Sequence, residues 1–436
     1  MKTTFPTTTD PKGVLTMKIK VGVLFGGKSV EHEISIISAI QAIGYLDTEK
    51  YDIIPIYITK NNEFYIGEDI GKIEEYAKGI KQLLEKSQRV ILVPDQNKTK
   101  IIRYPFKRFS NPYVDYIDIA FPIVHGTNVE DGTLQGYLKM MNIPYVGCDV
   151  VSSAVGMDKY VMKTVLKDNG IPVLDCKCFT SKQYDENSEA VISSIEEAID
   201  YPMIVKPVNL GSSIGISKAK DKDALASSLE TAFCYADKVL VEKAVQNLKE
   251  INCSVCGDYE TAEASECEEP VSHGDILDFS EKYLKGGGTK GAKGAKMPQK
   301  LGGAKGGAKS GSAGMASLSR KIPAEITDEQ KDKIQSLAVK AFQVLGCNGV
   351  SRIDFMMDSQ SGEIWLNEIN TIPGSLSFYL WEPKGVPYKK LLDKMISLSL
   401  KRERENEDIT YTFDSNVLQG ANLSGGTKGA KGGTKI

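Results

Sequence analysis

The sequence predicts an α/β fold, and two patterns support this prediction. An apolar strand at 18–25 runs into a Gly-Gly pair, and an amphipathic helix at 31–46 and a second strand at 52–58 follow it. A strand, a helix and a strand in this order are typical of a parallel sheet. The second pattern is that short apolar runs and helical segments continue to alternate along most of the chain.

The later elements extend the same pattern. Strands are predicted at 114–124, 143–146, 203–206, 238–242, 350–357 and 363–369, and helices at 159–169 and 190–198. A chain of 436 residues is too long for one ordinary core, so we expect two or three packed subdomains.

Charge and hydropathy exclude several classes of protein. The formal net charge is -3, from 54 basic and 57 acidic residues, so there is no general electrostatic basis for nucleic-acid binding. No apolar run reaches the ~18 residues that a membrane span needs, and the first sixteen residues lack the apolar core of a signal peptide. We therefore expect a cytoplasmic enzyme without a membrane association.

Two stretches depart from the α/β pattern. Residues 285–314 consist almost wholly of Gly, Lys, Ala, Ser and Thr, and the tail from Ser424 returns to this composition. The octapeptide GGTKGAKG occurs at 287–294 and again at 425–432. Such sequences are flexible in isolation and build no core. A shared compositional bias and a shared function both account for the repeat.

Two predicted strands near the carboxyl terminus carry alternating polar side chains. Arg352 and Asp354 lie two residues apart on one strand, and Glu368 and Asn370 lie two apart on the next, so each pair shares a face. If the strands are neighbours, an arginine and three oxygen ligands converge. Magnesium prefers such oxygen ligands and normally holds substrate phosphates as well. A surface ladder of salt bridges is the alternative.

A second group of residues is suited to a nucleotide. Lys159, Lys206 and Lys282 each lie at the edge of an element, where a lysine reaches phosphates, although a solvated surface lysine is the alternative for each one. The turn 211–215, Gly-Ser-Ser-Ile-Gly, offers backbone N–H groups to phosphate oxygens.

A further predicted strand ends at Glu242 and Lys243. Their backbone groups are therefore placed to meet an adenine edge, and Glu250 is placed to accept from ribose hydroxyls.

The segment from Gly22 to Ser29 satisfies the P-loop pattern GxxxxGK[ST] literally. Its first glycine lies inside the apolar strand rather than after it, which leaves too short a loop to wrap a phosphate. A P-loop phosphotransferase is therefore the minor alternative.

Eight motifs in order resemble those of D-alanyl-D-alanine ligases and the related vancomycin-resistance ligases: GGKSVEHEIS, HGTNVEDGTLQG, GMDK, VKPVNLGSSIGI, VEK, DFSEKY, SRIDF and NEINTIPG. They extend over roughly 18–400. The resemblance implies an ATP-grasp fold of three α/β subdomains. The expected divisions are a disordered extension at 1–17, an amino-terminal domain at 18–149, a central subdomain at 150–241, a carboxyl-terminal subdomain at 242–405 with a lid insertion at 285–314, and a flexible tail at 406–436.

The resemblance also implies roles for individual residues. The nucleotide would be bound by Lys159, Lys206, Ser213, Glu242, Lys243 and Glu250, with Lys282 on its phosphates. Two magnesium ions, or manganese in their place, would be held by Asp354, Glu368 and Asn370. The first amino acid would lie near His125, and its ammonium group would meet Glu31, which hydrogen bonds link to Ser212 and Tyr283. Arg352 and the Gly374 amide would meet the oxyanion.

The implied reaction is the joining of a carboxylate to an amine. ATP converts the carboxylate into an acyl phosphate, and the amine then attacks its carbonyl carbon. An amino-acid substrate and a homodimer are further implications of the resemblance.

Two departures from the family pattern concern the amine. The loop after EKY, which normally ends near a Pro-Ala pair, is enlarged here by the Gly-Lys segment before Pro323-Ala324. Where the family usually places a serine for the carboxylate of the second amino acid, this chain has Tyr379, whose phenol can donate one hydrogen bond.

These observations leave two main hypotheses for the acceptor. The first is a dipeptide ligase that makes D-alanyl-D-alanine or a close variant. The second is an aminoacyl ligase that modifies its own or a neighbouring chain's lysine-rich segments, with candidate acceptors at Lys290, Lys293, Lys428, Lys431 and Lys435. An anion-binding arm on a degenerate ligase is a third, non-enzymatic reading.

Overall fold

The computed structural model describes residues 18–95, 98–106, 108–211, 214–271 and 320–411. The strands are β1 Ile19–Gly26, β2 Tyr51–Ile58, β3 Phe64–Ile66, β4 Gln88–Asp95, β5 Lys98–Arg103, β6 Tyr113–Ile117, β7 Ile119–Pro122, β8 Cys176–Thr180, β9 Met203–Pro207, β10 Ser217–Ala219, β11 Lys238–Lys243, β12 Leu248–Gly257, β13 Ala262–Pro270, β14 Arg320–Lys321, β15 Gly349–Asp358 and β16 Ile364–Asn370.

The helices alternate with these strands. They are α1 His32–Tyr45, α2 Ile73–Lys78, α3 Ile80–Glu85, α4 Thr133–Met140, α5 Val150–Met157, α6 Lys159–Asp168, α7 Ser181–Glu186, α8 Ser188–Glu196, α9 Lys222–Phe233, α10 Asp328–Val344 and α11 Tyr388–Asn406, with 3-10 helices at Gly374–Leu380 and Glu382–Lys384. The α/β prediction is confirmed. Among the described helices, none is long and apolar enough to cross a membrane.

The first sheet confirms the predicted strand, helix and strand at the amino terminus. Its strand order is β6-β5-β4-β3-β2-β1-β7, and β1 pairs in parallel with both β2 and β7. Val23, Leu24 and Phe25 are fully buried although they point to both faces of β1. Burial on both faces is expected of a central parallel strand, because elements cover each side of the sheet.

Two strand predictions in this region are wrong. The run at 114–124 is not one strand, because the chain bends at Asp118 and forms β6 and β7 on opposite edges of the sheet. The Asp118 carboxylate accepts from the Lys20 backbone N–H at 2.8 Å, which fixes the bend. The predicted strand at 143–146 forms only an isolated bridge between Tyr145 and Ala120, too short for a strand.

Within the described ranges, two further sheets follow, and both are antiparallel. One has the order β10-β9-β11-β8, and the other has the order β14-β13-β12-β15-β16. Each has its own cluster of buried apolar side chains, packed under α8 and α9 in one case and under α10 in the other. The ends of β9, β11, β12, β15 and β16 bring polar residues of the two sheets to one cleft.

Candidate active site

One cleft of about 550 Å³ gathers residues of the second and third sheets together with Glu31, His125 and Glu130 from the amino-terminal part of the chain. Every predicted site residue that the structure describes lines it: Glu31, His125, Lys159, Lys206, Glu242, Lys243, Glu250, Arg352, Asp354, Glu368, Asn370 and Gly374. Ser212, Ser213, Lys282, Tyr283 and the candidate acceptors Lys290, Lys293, Lys428, Lys431 and Lys435 lie outside the described residues. A cleft of this size is typical of sites for small ligands and cofactors.

The predicted convergence of the two carboxyl-terminal strands is confirmed. Strands β15 and β16 pair antiparallel, with Arg352 opposite Asn370 and Asp354 opposite Glu368. Side chains that stand directly opposite on one face are close enough to share a ligand. The four residues therefore form one polar patch on the floor of the cleft.

Arg352 is bound tightly within this patch. It donates from Nε to Asp354 Oδ1 and from Nη2 to Asp354 Oδ2, both at 2.6 Å. Burial alone lowers the pKa of the guanidinium, but the charge and hydrogen bonds of Asp354 outweigh burial and raise that pKa well above its ordinary value. Asn370 Nδ2 also donates to Asp354 Oδ2, at 3.1 Å.

Lys159 connects the helix α6 to this patch. Asp158 caps the helix by accepting from the Tyr160 and Val161 backbone N–H groups, so Lys159 is its first residue. Its Nζ donates to the Leu210 carbonyl at 2.7 Å and lies 3.4 Å from Glu368 Oε2. The lysine is buried at the point where the 211–215 turn begins.

Lys206 belongs to a buried charged triad, of which only Lys206 and Glu242 were predicted from the sequence. Glu242 Oε1 accepts from Lys206 Nζ and Glu242 Oε2 accepts from Lys163 Nζ, both at 2.5 Å. The two lysines outweigh burial and lower the pKa of Glu242. Lys163 was missed, although its position one helical turn after Lys159 places both on one face of α6.

Glu31 precedes α1 and lies close to the loop after β7 and the loop after β9. A side chain added at Gly126 would come within 2.9 Å of Glu31 Oε2, and one added at Gly211 would come within 3.3 Å of it. The carboxylate therefore depends on both glycines for its close approach to the two loops. Gly211 immediately precedes Ser212, to which the family resemblance links Glu31.

Glu130 is a second residue of the cleft that was not predicted from the sequence. It is buried at the cleft, accepts from the Gly126 backbone N–H at 3.0 Å and accepts from the Ile372 backbone N–H at 2.8 Å. Burial, reinforced by the charge of Glu31, raises the pKa of Glu130 to about 8. Its place in the HGTNVEDGTLQG motif is the signal that could have identified it.

Tyr379 is buried, and its phenol hydroxyl is already hydrogen-bonded within the protein. The hydroxyl donates to Glu268 Oε1 at 3.3 Å, and the Arg320 guanidinium lies 4.0 Å from the centre of its ring. Arg320 also donates to Glu268 Oε2 at 2.9 Å. Arg320 and Glu268 line the cleft, whereas Tyr379 packs behind them.

Lys243 and Glu250 lie at the outer part of the cleft. Lys243 ends β11 and is 3.3 Å from Asp200, and Glu250 faces Met356 across the β12–β15 pair. In the described part of the chain, no cluster of three or more His, Cys, Asp or Glu side chains could hold a metal ion. The predicted metal site is of a different kind, since it pairs two carboxylates with the amide of Asn370.

The P-loop alternative fails in the structure. Gly22 lies inside β1, and a side chain added there would meet Ile117 at 2.9 Å. The residue is packed into the sheet, so no loop runs from Gly22 to Gly27 that could wrap a phosphate.

Solved structures with the same architecture define the class of the protein. A D-alanine-D-alanine ligase from Coxiella burnetii matches with a TM-score of 0.69 and 28% identity over 89% of this chain and 96% of that one. The VanG D-Ala:D-Ser ligase from Enterococcus faecalis matches with a TM-score of 0.68 and 31% identity over 88% of this chain and all of that one (100%). The fold and the cleft are those of an ATP-grasp ligase, an ATP-dependent enzyme that forms a carbon–nitrogen bond.

The sequence comparisons identify the family. The D-ala D-ala ligase N-terminus matches at residues 20–148, and the D-ala D-ala ligase C-terminus matches at 165–302 and 312–397. A D-alanine--D-alanine ligase from Thermosipho melanesiensis is 37% identical over 92% of this chain and 98% of its own length. The chain belongs to the D-alanine--D-alanine ligase family. The match is interrupted at 303–311, inside the Gly-Lys segment.

Proposed function

We propose that this enzyme joins two molecules of D-alanine into D-alanyl-D-alanine at the expense of ATP. The observation that carries the proposal is the arrangement of the cleft, in which Glu31 at the start of α1, Arg352 and Asp354 on β15 and Gly374 just after β16 line one cavity. Relatives that match 92% of the chain carry the name of this activity. A D-alanine--D-alanine ligase from Bacillus anthracis, 25% identical, is described in complex with ATP.

The nucleotide fits the donors that the cleft presents. Lys159 and Lys206 are buried cations that bind phosphate oxygens, and Glu242 holds Lys206 in place from behind. Lys243 and Glu250 lie further out, where the base and ribose would be received. Ser213 and Lys282 are proposed to complete the phosphate site.

Family membership implies ATP and a divalent metal, and we propose two Mg²⁺ ions for this chain. Asp354, Glu368 and Asn370 supply the hard oxygen ligands that magnesium requires. Bound there, the ions would neutralise charge on the phosphates. This role requires Asp354 to exchange its two hydrogen bonds with Arg352 for a metal ion, which frees Arg352 to meet an anionic oxygen.

The reacting groups lie between these sites. Glu31, with Ser212 and Tyr283, is proposed to hold the ammonium group of the first amino acid, whose carboxylate becomes the acyl phosphate. Arg352 and the Gly374 amide stabilise the oxyanion that forms when the second amine attacks, because fixed donors act most strongly where charge develops. Holding both partners together supplies a large part of the rate.

The alternative acceptor hypothesis has no support in the comparisons. The family and the named relatives are ligases of two free amino acids, and the candidate acceptor lysines lie outside the described residues. The anion-binding arm also concerns those segments, so it too stays a sequence-based hypothesis. A homodimer and a cytoplasmic location remain predictions from the sequence.

The test is incubation of the purified enzyme with ATP, Mg²⁺ and D-alanine. We expect equimolar release of phosphate and dipeptide, no reaction with L-alanine, and loss of product in Glu368→Gln. Intact-mass measurement of the same protein separates the two acceptors. A protein that gains aminoacyl increments while no dipeptide forms would overturn the proposal.

A further inference from the structure

The backbone around the proposed oxyanion donor is strained. Directly after Gly374, the three residues Ser375, Leu376 and Ser377 have φ values of 51°, 51° and 49°. This left-handed region is unfavourable for residues with a side chain, and three in succession are rare. Strained backbone persists only where the surrounding structure fixes it. The segment around Gly374, residues 371–377, must therefore be held by contacts with other parts of the chain.

Three buried side chains from the amino-terminal part of the chain hold this segment. Glu130 accepts from the Ile372 backbone N–H at 2.8 Å, and His125 Nδ1 lies 2.9 Å from the Ile372 carbonyl oxygen. Ser38 Oγ accepts from the Ser375 backbone N–H at 3.1 Å. The segment is thus fastened on both sides of Gly374.

The same contacts fix the hydrogen positions of the network. The Ile372 carbonyl only accepts, so His125 Nδ1 carries the hydrogen and donates to it. Burial lowers the pKa of His125, which keeps the ring neutral, and Nε2 therefore accepts. Its partner at 2.9 Å is Ser38 Oγ, whose hydroxyl donates to the ring while accepting from Ser375. The hydrogen-bond network therefore has one consistent assignment of donors and acceptors.

We infer that Ser38 is a positioning residue for the ligase reaction, because it connects His125 to the Ser375 amide and so fixes the direction of the Gly374 N–H. The inference rests on the proposed function, in which that N–H meets the oxyanion. Ser38 lies on α1, whereas Gly374 begins the 3-10 helix that follows β16, so a helix of the amino-terminal part sets the geometry of an oxyanion donor next to the third sheet. A misplacement of about 1 Å in such a donor costs on the order of 100-fold in rate.

Ser38→Ala removes the hydroxyl contacts without disturbing the helix. Ser38 lies inside α1, where alanine is the best helix former, so the helix itself does not suffer. The change leaves the Ser375 N–H and His125 Nε2 without their shared partner. We expect kcat for dipeptide synthesis to fall about 10–100-fold while the KM for ATP stays within about twofold, since only a transition-state interaction is lost.

The matched control is Ser377→Ala. Ser377 is equally buried, and its hydroxyl has no hydrogen-bond partner among the described residues. It undergoes the same chemical change three residues after Gly374, and we expect kcat to stay within about twofold of the unaltered enzyme. Ser38→Thr retains the hydroxyl and should restore most of the rate.

A second measurement does not depend on turnover. Hydrogen–deuterium exchange of peptides that cover 371–377 should be slow in the unaltered protein, unchanged in Ser377→Ala and faster in Ser38→Ala. If the unaltered enzyme makes no dipeptide, the proposed function fails, and exchange still reports on the contact. If dipeptide forms normally and Ser38→Ala changes neither kcat nor exchange, the inference fails on its own.

Discussion

Arg352 and Asp354 form a two-point ion pair on a single strand, with both hydrogen bonds 2.6 Å long and both side chains largely buried. Removing one partner of a buried pair leaves an uncompensated charge and costs about 3–5 kcal/mol. We expect Asp354→Asn to lose dipeptide synthesis and to lower the free energy of unfolding by about that amount in urea denaturation.

The paired change separates the two effects. Replacing both residues with apolar ones, Arg352→Met with Asp354→Leu, should recover most of the stability but none of the activity, because no buried charge is left unpaired. Glu363→Gln, at an exposed carboxylate just before β16, is the control. An Asp354→Asn protein as stable as this control would contradict the prediction.

Lys163 is expected to tune the affinity for ATP without touching the nucleotide. It shares Glu242 with Lys206, so Lys163→Met would leave Glu242 with Lys206 as its one lysine partner. Lys206 would then be drawn toward Glu242 and away from the phosphates. We expect the KM for ATP to rise about tenfold, equivalent to about 1.4 kcal/mol, with a smaller change for D-alanine.

Steady-state kinetics at varied ATP test this expectation. Lys182→Met removes a lysine whose side chain is 83% exposed and serves as the control. Equal KM values for ATP in the two variants would show that Lys163 has a structural role and no influence on ATP binding.

Glu130 should make stability depend on pH. Its pKa is about 8 in the folded protein, against an ordinary value of 4.5, so between these values the folded state binds more protons than the unfolded state. The contribution of Glu130 to the free energy of unfolding is therefore complete below pH 4.5 and is lost as the pH rises toward 8. We expect Glu130→Gln to flatten the fall of Tm across this window.

Thermal unfolding at a series of pH values measures this effect. Glu68→Gln makes the same chemical change at a side chain that is 95% exposed, and it should leave the slope unaltered. The prediction is refuted if Tm depends on pH equally in both variants.

Tyr379 is expected to support the pocket rather than to bind the second amino acid. Its hydroxyl is engaged by Glu268, so Tyr379→Phe removes one hydrogen bond and should cost about 1 kcal/mol of stability. We expect the KM for the second D-alanine to change less than about twofold. An increase of tenfold or more in that KM would place the phenol on the substrate carboxylate.

The sequence by itself determined the α/β class, the resemblance to the ligases and the set of polar residues on the floor of the cleft. Alternation along two strands places Arg352 with Asp354 and Glu368 with Asn370, and one pairing of neighbouring strands brings all four together. Local periodicity is enough for this, because every step spans a few residues.

Only the tertiary structure decided how these residues are supported. Lys163 meets Glu242 across 79 residues, Glu130 meets Ile372 across 242, and Ser38 meets Ser375 across 337. No local pattern encodes such contacts, since they arise only when segments that are far apart in the chain pack together. For the same reason the orientation of Tyr379 toward Glu268 was not predictable: it depends on how β13 packs against the segment after β16.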